Sequence, residues 1–245
     1  MPGNVRSGGW LLHFHSYLVR SDAGVVLVDA GVGPAGGEAA EWLGVAGRLP
    51  GLLGRIGVEV GDVDAVVLTH VHLDHVGWAS NGVRPLFPRA EYVVQRDEVE
   101  QVRSGATYLS RIRPIEEAGQ LRVVEGETAL RGMRLVPTPG HTPGHQSVVT
   151  ERAILGGDVL VHPAQARSPE LTYVYERDPA TAVTSRREVL AMAAAMGVPI
   201  AAAHPSSALR PGAPPGADGT QLLPVDVTPV AGAGAGDEVC PPYRL

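Results

Sequence analysis

The chain has 245 residues and a formal net charge of −6, and 44% of its residues are hydrophobic while only 4% are aromatic. One domain of this length can bury a large core, the acidic balance argues against nucleic acid as a partner, and no stretch is apolar enough to predict a membrane span. The single cysteine, Cys240, excludes an internal disulfide and a cysteine-based zinc site, so we expect a cytoplasmic protein.

The first half of the chain predicts strands that are followed by helices. Alternating or β-branched patterns predict strands over residues 11–20, 24–29, 65–68 and 91–94. Helical spacing extends over residues 38–56, with a break at Pro50-Gly51, and a polar helix begins near Arg96.

The second half repeats this order. Strands are predicted over residues 121–124, 133–136, 147–150, 153–155 and 198–203. A helix begins with Asp178 as the N-cap and Pro179 at the first helical position, and it ends at Gly197. Strands and helices alternating in this way predict two β-sheets sandwiched between helices.

Glycine and proline crowd the last part of the chain, from Pro205 to Pro242. Such composition buries little apolar surface and favours loop or disorder. We therefore divide the chain into a main domain over residues 1–204 and a tail over residues 205–245. The tail either packs on this domain or extends from it.

A histidine-rich segment directly follows the apolar strand 65–68. His70, His72, Asp74 and His75 place four potential metal ligands within six residues, and imidazole and carboxylate groups suit zinc and its neighbours. His70 and His72 are two residues apart, so an extended backbone turns both to the same side. Asp74 and His75 diverge and can serve a second ion. This density of ligands favours a metal site over a solvated loop.

Three further segments carry chemistry of the same kind. His141 and His145 lie in the rigid loop TPGHTPGH, Asp158 follows two glycines after a strand, and His204 ends the last predicted strand. Each alone is also compatible with a simple turn, a β-bulge or a strand end. Together they supply the remaining ligands of a two-metal site.

These motifs resemble the metallo-β-lactamase superfamily over roughly Tyr17 to His204. The matching residues are Leu27 to Gly31, Thr69 to Gly77, Thr138 to His145, Gly157-Asp158 and His204. The resemblance implies an α+β fold, a four-layer αββα sandwich of two mixed β-sheets flanked by helices. It implies that His70, His72 and His141 hold one ion. Asp74, His75 and His204 hold a second, and Asp158 bridges both.

The resemblance also assigns supporting roles and a branch. Asp29 and His145 correspond to positions that hydrogen-bond near the ligands without binding metal. Asp158 stands where several antibiotic-hydrolysing members have cysteine. A carboxylate at this position resembles lactonases, glyoxalase-type thioesterases and aryl- or phosphotriesterases instead. Residues 74–78 and 84–92 are similar to lactonase-like and organophosphate-hydrolase-like members. Lactonases of the family usually carry a tyrosine three residues after the bridging aspartate, where this chain has Val161.

The implied activity is a dinuclear metal-dependent hydrolase that cleaves a lactone, ester or thioester through a metal-bridging hydroxide. Asp74 and Asp158 are the expected catalytic carboxylates. The expected cofactor is two Zn²⁺, with iron, manganese or cobalt as alternatives. Two other enzymes on this fold stay open: a biosynthetic cyclase or thioesterase on the same dizinc centre, and an iron-dependent persulfide dioxygenase-like enzyme. A non-catalytic binding module is disfavoured, because no ligand position of the family is lost.

The substrate residues are less constrained by the sequence. His15 and Trp78 are candidates for the wall of the substrate pocket, and packing is the alternative explanation for both. The expected partner is a small-molecule substrate, with neither nucleic acid nor a membrane involved. The oligomeric state stays open, a homodimer included.

Overall fold

The computed structural model describes residues 12–205, together with three strand segments outside this range, Val5–Arg6, Gly9–Trp10 and Gln221–Val227. The strands are β1 (Val5–Arg6), β2 (Gly9–Trp10), β3 (Phe14–Ser21), β4 (Gly24–Val28), β5 (Ala65–Val67), β6 (Glu91–Gln95), β7 (Leu121–Val124), β8 (Thr128–Leu130), β9 (Met133–Pro137), β10 (Gln146–Val149), β11 (Ile154–Gly157), β12 (Ile200–Ala202) and β13 (Gln221–Val227). The helices are α1 (Glu38–Leu43), α2 (Leu49–Arg55), α3 (Leu73–Val76), α4 (Arg96–Val102), α5 (Arg113–Glu117) and α6 (Pro179–Met196). Short 3₁₀ turns lie at Val60–Asp62 and Pro163–Ala166, and a π-helical turn lies at Tyr108–Ile112.

Two mixed sheets form the centre of the fold. The six-stranded sheet has the order β13-β3-β4-β5-β6-β7, and its strands β4 to β7 are parallel. The five-stranded sheet has the order β12-β11-β10-β9-β8, with only β11 and β12 parallel. β1 and β2 form a separate two-stranded ribbon.

Successive side chains of a strand point to opposite faces of its sheet, and in both sheets the two faces are apolar. Val28, Val67 and Leu155 belong to the core between the sheets. The opposite face of the six-stranded sheet packs against α2 through Leu49 and Leu53. The outer face of the five-stranded sheet packs against α6. The layers are therefore helix, sheet, sheet, helix, which confirms the predicted αββα fold class.

The helical segment 38–56 is interrupted, but the predicted position of the break is wrong. α1 ends at Gly44, whose φ of 67° is the left-handed conformation common after a helix. Pro50 lies instead in the first turn of α2. Proline is tolerated there because the first N–H groups of a helix have no partner within the helix.

The second half follows the predicted strand and helix ranges closely, and between two of the predicted strands the structure adds one that was not predicted. α6 begins after Asp178, whose carboxylate accepts N–H groups of Ala180 and Thr181, and it ends at Gly197. β7 and β9 are consecutive predicted strands, yet they belong to different sheets. The unpredicted strand β8 lies between them and pairs with β9.

The C-terminal segment contributes one strand to the fold. β13 pairs antiparallel with β3 over its whole length, from Gln221 opposite Arg20 to Val227 opposite Phe14. Residues 206–220 and 228–245 of the predicted tail, Cys240 included, lie outside the described residues. The division at residue 204 stays a proposal. Within the described part of the chain, every helix is too short or too polar to span a membrane.

Candidate metal centre

The predicted ligands meet at one edge of the sandwich because they follow the ends of neighbouring strands. His70 and His72 come directly after β5, and His141 lies in the loop between β9 and β10. Asp158 follows β11, and His204 follows the parallel strand β12. The structure thus brings together residues that are up to 134 positions apart in the sequence.

Three histidines form what we call the first subsite: His70, His72 and His141. The Nδ1 atom of His72 lies 2.9 Å from Nε2 of His70 and 3.0 Å from Nε2 of His141. Nitrogen atoms this close around a common point are able to share one metal ion. The backbone of His72 is extended, with φ of −85° and ψ of 154°, and the rings of His70 and His72 both reach this point.

Asp74, His75 and His204 form what we call the second subsite. Oδ2 of Asp74 lies 3.6 Å from Nε2 of His75 and 3.6 Å from Nε2 of His204. α3 begins directly after His72, so Asp74 and His75 lie in its single turn. The main chain therefore changes direction between the two subsites, which separates two ligand pairs that are close in sequence.

Asp158 lies between the subsites. Its Oδ2 is 3.3 Å from Nε2 of His141, and its Oδ1 is 3.4 Å from Nε2 of His75 and 3.1 Å from Nε2 of His204. Burial raises the pKa of this carboxyl, but His204, His75 and His141 outweigh burial and hold the pKa well below its usual range. Asp158 is therefore ionised. Its Oδ1 faces the second subsite, whereas its Oδ2 lies between the two subsites, near His141 and 3.2 Å from Nε2 of His204.

The pKa shifts of the histidines differ between the two subsites: they are downward in the first and upward in the second. Burial and neighbouring histidines lower the pKa of His70, and burial also lowers the pKa of His141, both well below the usual value. Burial alone lowers the pKa of His75, but Asp158, Asp74 and Asp29 raise it well above the usual value. The pKa of His204 is likewise raised against burial, by Asp158 and Asp74.

Asp29 orients the second subsite from behind. Its Oδ2 accepts a hydrogen bond from Nδ1 of His75 at 2.8 Å, and its Oδ1 accepts the backbone N–H of Thr69 at 2.8 Å. Asp29 has a φ of 62°, a conformation that aspartate and asparagine adopt more readily than most residues. The turn after β4 thus directs this carboxylate toward the histidine-rich segment. Asp29 is a hydrogen-bonding partner of His75 and Thr69, and its supporting role at a metal centre stays a prediction.

His145 supports Asp158 through the main chain. Its Nε2 accepts the N–H of Asp158 at 3.0 Å, and its Nδ1 donates to the carbonyl of Thr138 at 3.1 Å. Burial lowers its pKa to about 4, so the ring is neutral and able to accept. Gly157 has a φ of 51°, and a Cβ there would overlap Nε2 of His145. The glycine therefore allows the close approach that this hydrogen bond requires.

The chemistry of the donor set fits a pair of divalent cations. Nε2 of His75 and Oδ1 of Asp158 are buried, and each lacks a hydrogen-bond partner among the described residues. Such groups are costly unless something satisfies them. Imidazole nitrogen and carboxylate oxygen are the ligands that zinc and similar metals prefer. A cation between these atoms would supply the missing partner.

The two candidate pocket residues lie in different surroundings. His15 is on β3, beside the segment that carries His204. Its backbone N–H donates to the carbonyl of Ala203, and its ring stacks on that of His13 with 5.6 Å between the ring centroids. Trp78 is half-buried and packs against the core under α2. Their roles in substrate binding stay predictions.

Glu98 was not singled out by its sequence context, although the structure places it against both ligand loops. The side chain is buried, and its carboxylate accepts N–H groups from Val71 and Gly144. In the sequence it is one of several acidic residues in a polar helix. No local signal distinguishes it, because its partners are 27 and 46 residues away.

An aromatic strip extends outward from the first subsite. The Tyr173 ring stacks on His141 at 6.2 Å, Tyr175 packs edge-to-face on Tyr173 at 5.3 Å, and Trp42 packs on Tyr175 at 6.4 Å. Tyr175 and Trp42 are 45% and 61% exposed. Aromatic residues are only 4% of the chain, yet three of them lie in one line, with Tyr173 partly buried and the other two exposed. The alternation of Tyr173 and Tyr175 was visible in the sequence, but their proximity to His141 was not.

Comparison with known proteins identifies the class. The family model described as the metallo-beta-lactamase superfamily matches residues 13–222. The match covers most of the chain, so the chain belongs to this superfamily, and the resemblance inferred from its motifs is confirmed.

The chain is also similar to individual members of the superfamily. An N-acyl homoserine lactonase from Bacillus sp is 30% identical over 149 residues, which are 55% of this chain and 57% of the relative. The crystal structure of hydrolase AbOPH in the beta-lactamase superfamily has 25% identity and a TM-score of 0.72, covering 90% of this chain and 81% of that one. An N-acyl homoserine lactone hydrolase, solved with N-hexanoyl-L-homoserine bound at its catalytic metal centre, has 26% identity and a TM-score of 0.62, covering 76% and 79%. The chain thus matches somewhat more than half the length of the curated lactonase.

Proposed function

We propose that the protein is a dinuclear zinc hydrolase that opens a lactone or cleaves a related ester in the cytoplasm. One observation carries the proposal: seven imidazole and carboxylate side chains converge in two subsites that share Asp158. His70, His72 and His141 would hold one ion, and Asp74, His75 and His204 the other. When bound, the two cations would lower the pKa of a water molecule and polarise the scissile carbonyl.

The protein's own residues would organise this chemistry. Asp158, held ionised by its histidine neighbours, fixes the spacing of the two subsites. Asp74 is the more exposed of the two carboxylates, at 13% against 4%. The Asp74 carboxylate would therefore accept the proton of the attacking water and return it to the leaving alkoxide.

The aromatic strip favours a substrate with an extended apolar tail. Tyr173 begins the strip at His141, and Tyr175 and Trp42 continue it to the surface. A tail lying on these rings would bury apolar surface while the reacting carbonyl sits at the metal centre. The activity named for the curated relatives, N-acyl homoserine lactonase, has a substrate of this shape.

Metal analysis and a substrate panel test the proposal with one preparation. We expect about two zinc ions per chain, and faster hydrolysis of acylated lactones and aryl esters than of glutathione thioesters or phosphotriesters. His70→Ala and Asp158→Ala should lose metal and activity together, whereas the exposed Glu188→Gln should keep both. One iron per chain with oxygen consumption on a persulfide would contradict the proposal, as would full activity of either alanine variant.

The tail-binding role of the strip has its own test. Tyr175→Ala and Trp42→Ala should each raise KM more for long-chain than for short-chain acyl lactones, because only the long chain reaches these rings. Val83→Ala, at a residue that is 83% exposed and apart from the strip, is the control. Equal effects on long and short chains would remove the strip from the substrate site.

A further inference from the structure

Glu98 ties together the two loops that carry the first subsite. The side chain lies in the first turn of α4 and is fully buried. Its Oε1 accepts the N–H of Val71 at 2.8 Å, and its Oε2 accepts the N–H of Gly144 at 3.2 Å. One carboxylate thus bonds to two segments that are otherwise distant in sequence.

Both hydrogen bonds are made beside predicted ligands. Val71 stands between His70 and His72, and Gly144 lies three residues after His141. A Cβ on Gly144 would overlap the backbone of Glu98, so the loop lies directly against the start of α4. All three ligands of the first subsite are therefore on segments that Glu98 fixes.

The second subsite has different supports. His75 is oriented by Asp29, and Nδ1 of His204 donates to the carbonyl of His13 at 2.8 Å. Glu98 makes no hydrogen bond to these residues among the described contacts. A change at Glu98 should therefore act on one subsite and spare the other.

We propose that Glu98 is a positioning residue that sets the geometry of the first subsite by clamping the His70–His72 segment and the His141 loop to the start of α4. This proposal rests on the proposed metal centre. In Glu98→Gln, the shape is kept, but an amide NH₂ group replaces one acceptor and faces a backbone N–H. The affected loop loses its anchor, while the second subsite keeps both of its own supports.

Cobalt binding in single-subsite backgrounds tests the clamp. In His204→Ala the remaining ion reports on the first subsite, and in His141→Ala it reports on the second. We expect Glu98→Gln to weaken Co²⁺ binding about 10- to 100-fold in the first background and to leave it unchanged in the second. Glu100→Gln, at an exposed residue of the same helix, should change neither. Equal weakening in both backgrounds, or none in either, would overturn the proposal.

Amide exchange in the unsubstituted, metal-free protein gives a second measurement that does not depend on variant folding. The N–H protons of Val71 and Gly144 should already be protected without metal, because Glu98 accepts them in the protein itself. If they exchange as fast as exposed loop amides until metal is added, the metal orders the loops and Glu98 does not. A wild-type protein that binds no Co²⁺ at all would instead refute the proposed function.

Discussion

Asp29 performs two tasks with one side chain, because its two oxygens face different parts of the histidine-rich segment. One oxygen holds the main chain of Thr69, and the other holds the ring of His75 in the orientation that turns Nε2 toward Asp158. The carboxylate also favours the tautomer of His75 in which Nδ1 carries the proton. Nε2 is then available as a ligand.

Asp29→Asn should weaken metal binding at the second subsite by about 10- to 100-fold. Asparagine tolerates the positive φ of this position, so the turn itself should survive and the loss should come from the hydrogen bonds. Competition with a chromophoric chelator measures the affinity, with the exposed Asp22→Asn as the control. Unchanged affinity would show that His75 does not need this partner.

The raised pKa values of His75 and His204 predict that metal uptake releases protons. A metal ion must displace any proton on these rings, so affinity should rise as the pH increases beyond the usual histidine pKa of about 6.5. His70 and His141, whose pKa values are lowered, have no proton to lose above that pH. Titration calorimetry in two buffers of different ionisation enthalpy measures the release. A heat of binding independent of the buffer would contradict the prediction.

At the scale of elements, α6 shows how a secondary structure supports a ligand loop. Asp178 caps the helix, and its own N–H donates to the carbonyl of Gly140, next to His141. Arg177 donates in the same way to the carbonyl of His141. The beginning of α6 and the metal-binding loop therefore fix each other.

Asp178→Ala should lower the free energy of unfolding by about 1 kcal/mol, the usual cost of losing an N-cap side chain. The carboxylate accepts the N–H groups of Ala180 and Thr181, which would turn to water instead. Urea denaturation measures the change, and Glu188→Ala, an exposed substitution inside the same helix, should cost less. A cost no greater than that of Glu188→Ala would show that the cap is not stabilising.

Local signals predicted much of the fold. The Asp178-Pro179 start and the Gly197 end of α6 were readable because caps act within a few residues. The break in the segment 38–56 was misplaced because proline is compatible with a first helical turn as well as with a break. Only tertiary packing assigns β7 and β9 to different sheets, and nothing in the intervening residues shows it.

The candidate site shows the same difference between residues with a local sequence signal and residues that only the fold brings together. Dense ligand motifs such as His70 to His75 identify themselves by composition. Glu98 and Tyr173 do not, since a glutamate in a polar helix and a tyrosine in a loop are ordinary residues until the fold places them beside His70 and His141. The sequence thus indicates the candidate ligands more completely than the groups that hold them in place.

At the scale of the whole molecule, the metal centre joins the two sheets. His70 and His72 extend from the six-stranded sheet, whereas Asp158 and His204 extend from the five-stranded sheet. Ions bound between them would connect the two sheets at the open edge of the sandwich. Metal binding should therefore be linked to global stability and not only to local order.

Removing metal with a chelator should lower the melting temperature by roughly 10 °C. Metal present at a thousandfold excess over Kd stabilises the folded state by about 4 kcal/mol, and each kcal/mol shifts Tm by roughly 2–4 °C in a protein of this size. Differential scanning calorimetry with and without chelator measures the shift. The same treatment should leave the Tm of His70→Ala nearly unchanged, and an equal shift in that variant would point to an effect unrelated to this centre.

The pairing of β13 with β3 has a consequence for self-association. Without that pairing β3 would be the outermost strand, and the main-chain groups that bond to β13 between Phe14 and Arg20 would face solvent. An unpaired edge strand of this kind can pair with a strand of a neighbouring molecule. The opposite edge strand, β7, carries the exposed ion pair of Arg122 with Glu91 of β6, and charges of this kind discourage such pairing. Seven residues from the glycine- and proline-rich segment thus cover an edge that would otherwise be open to strand addition.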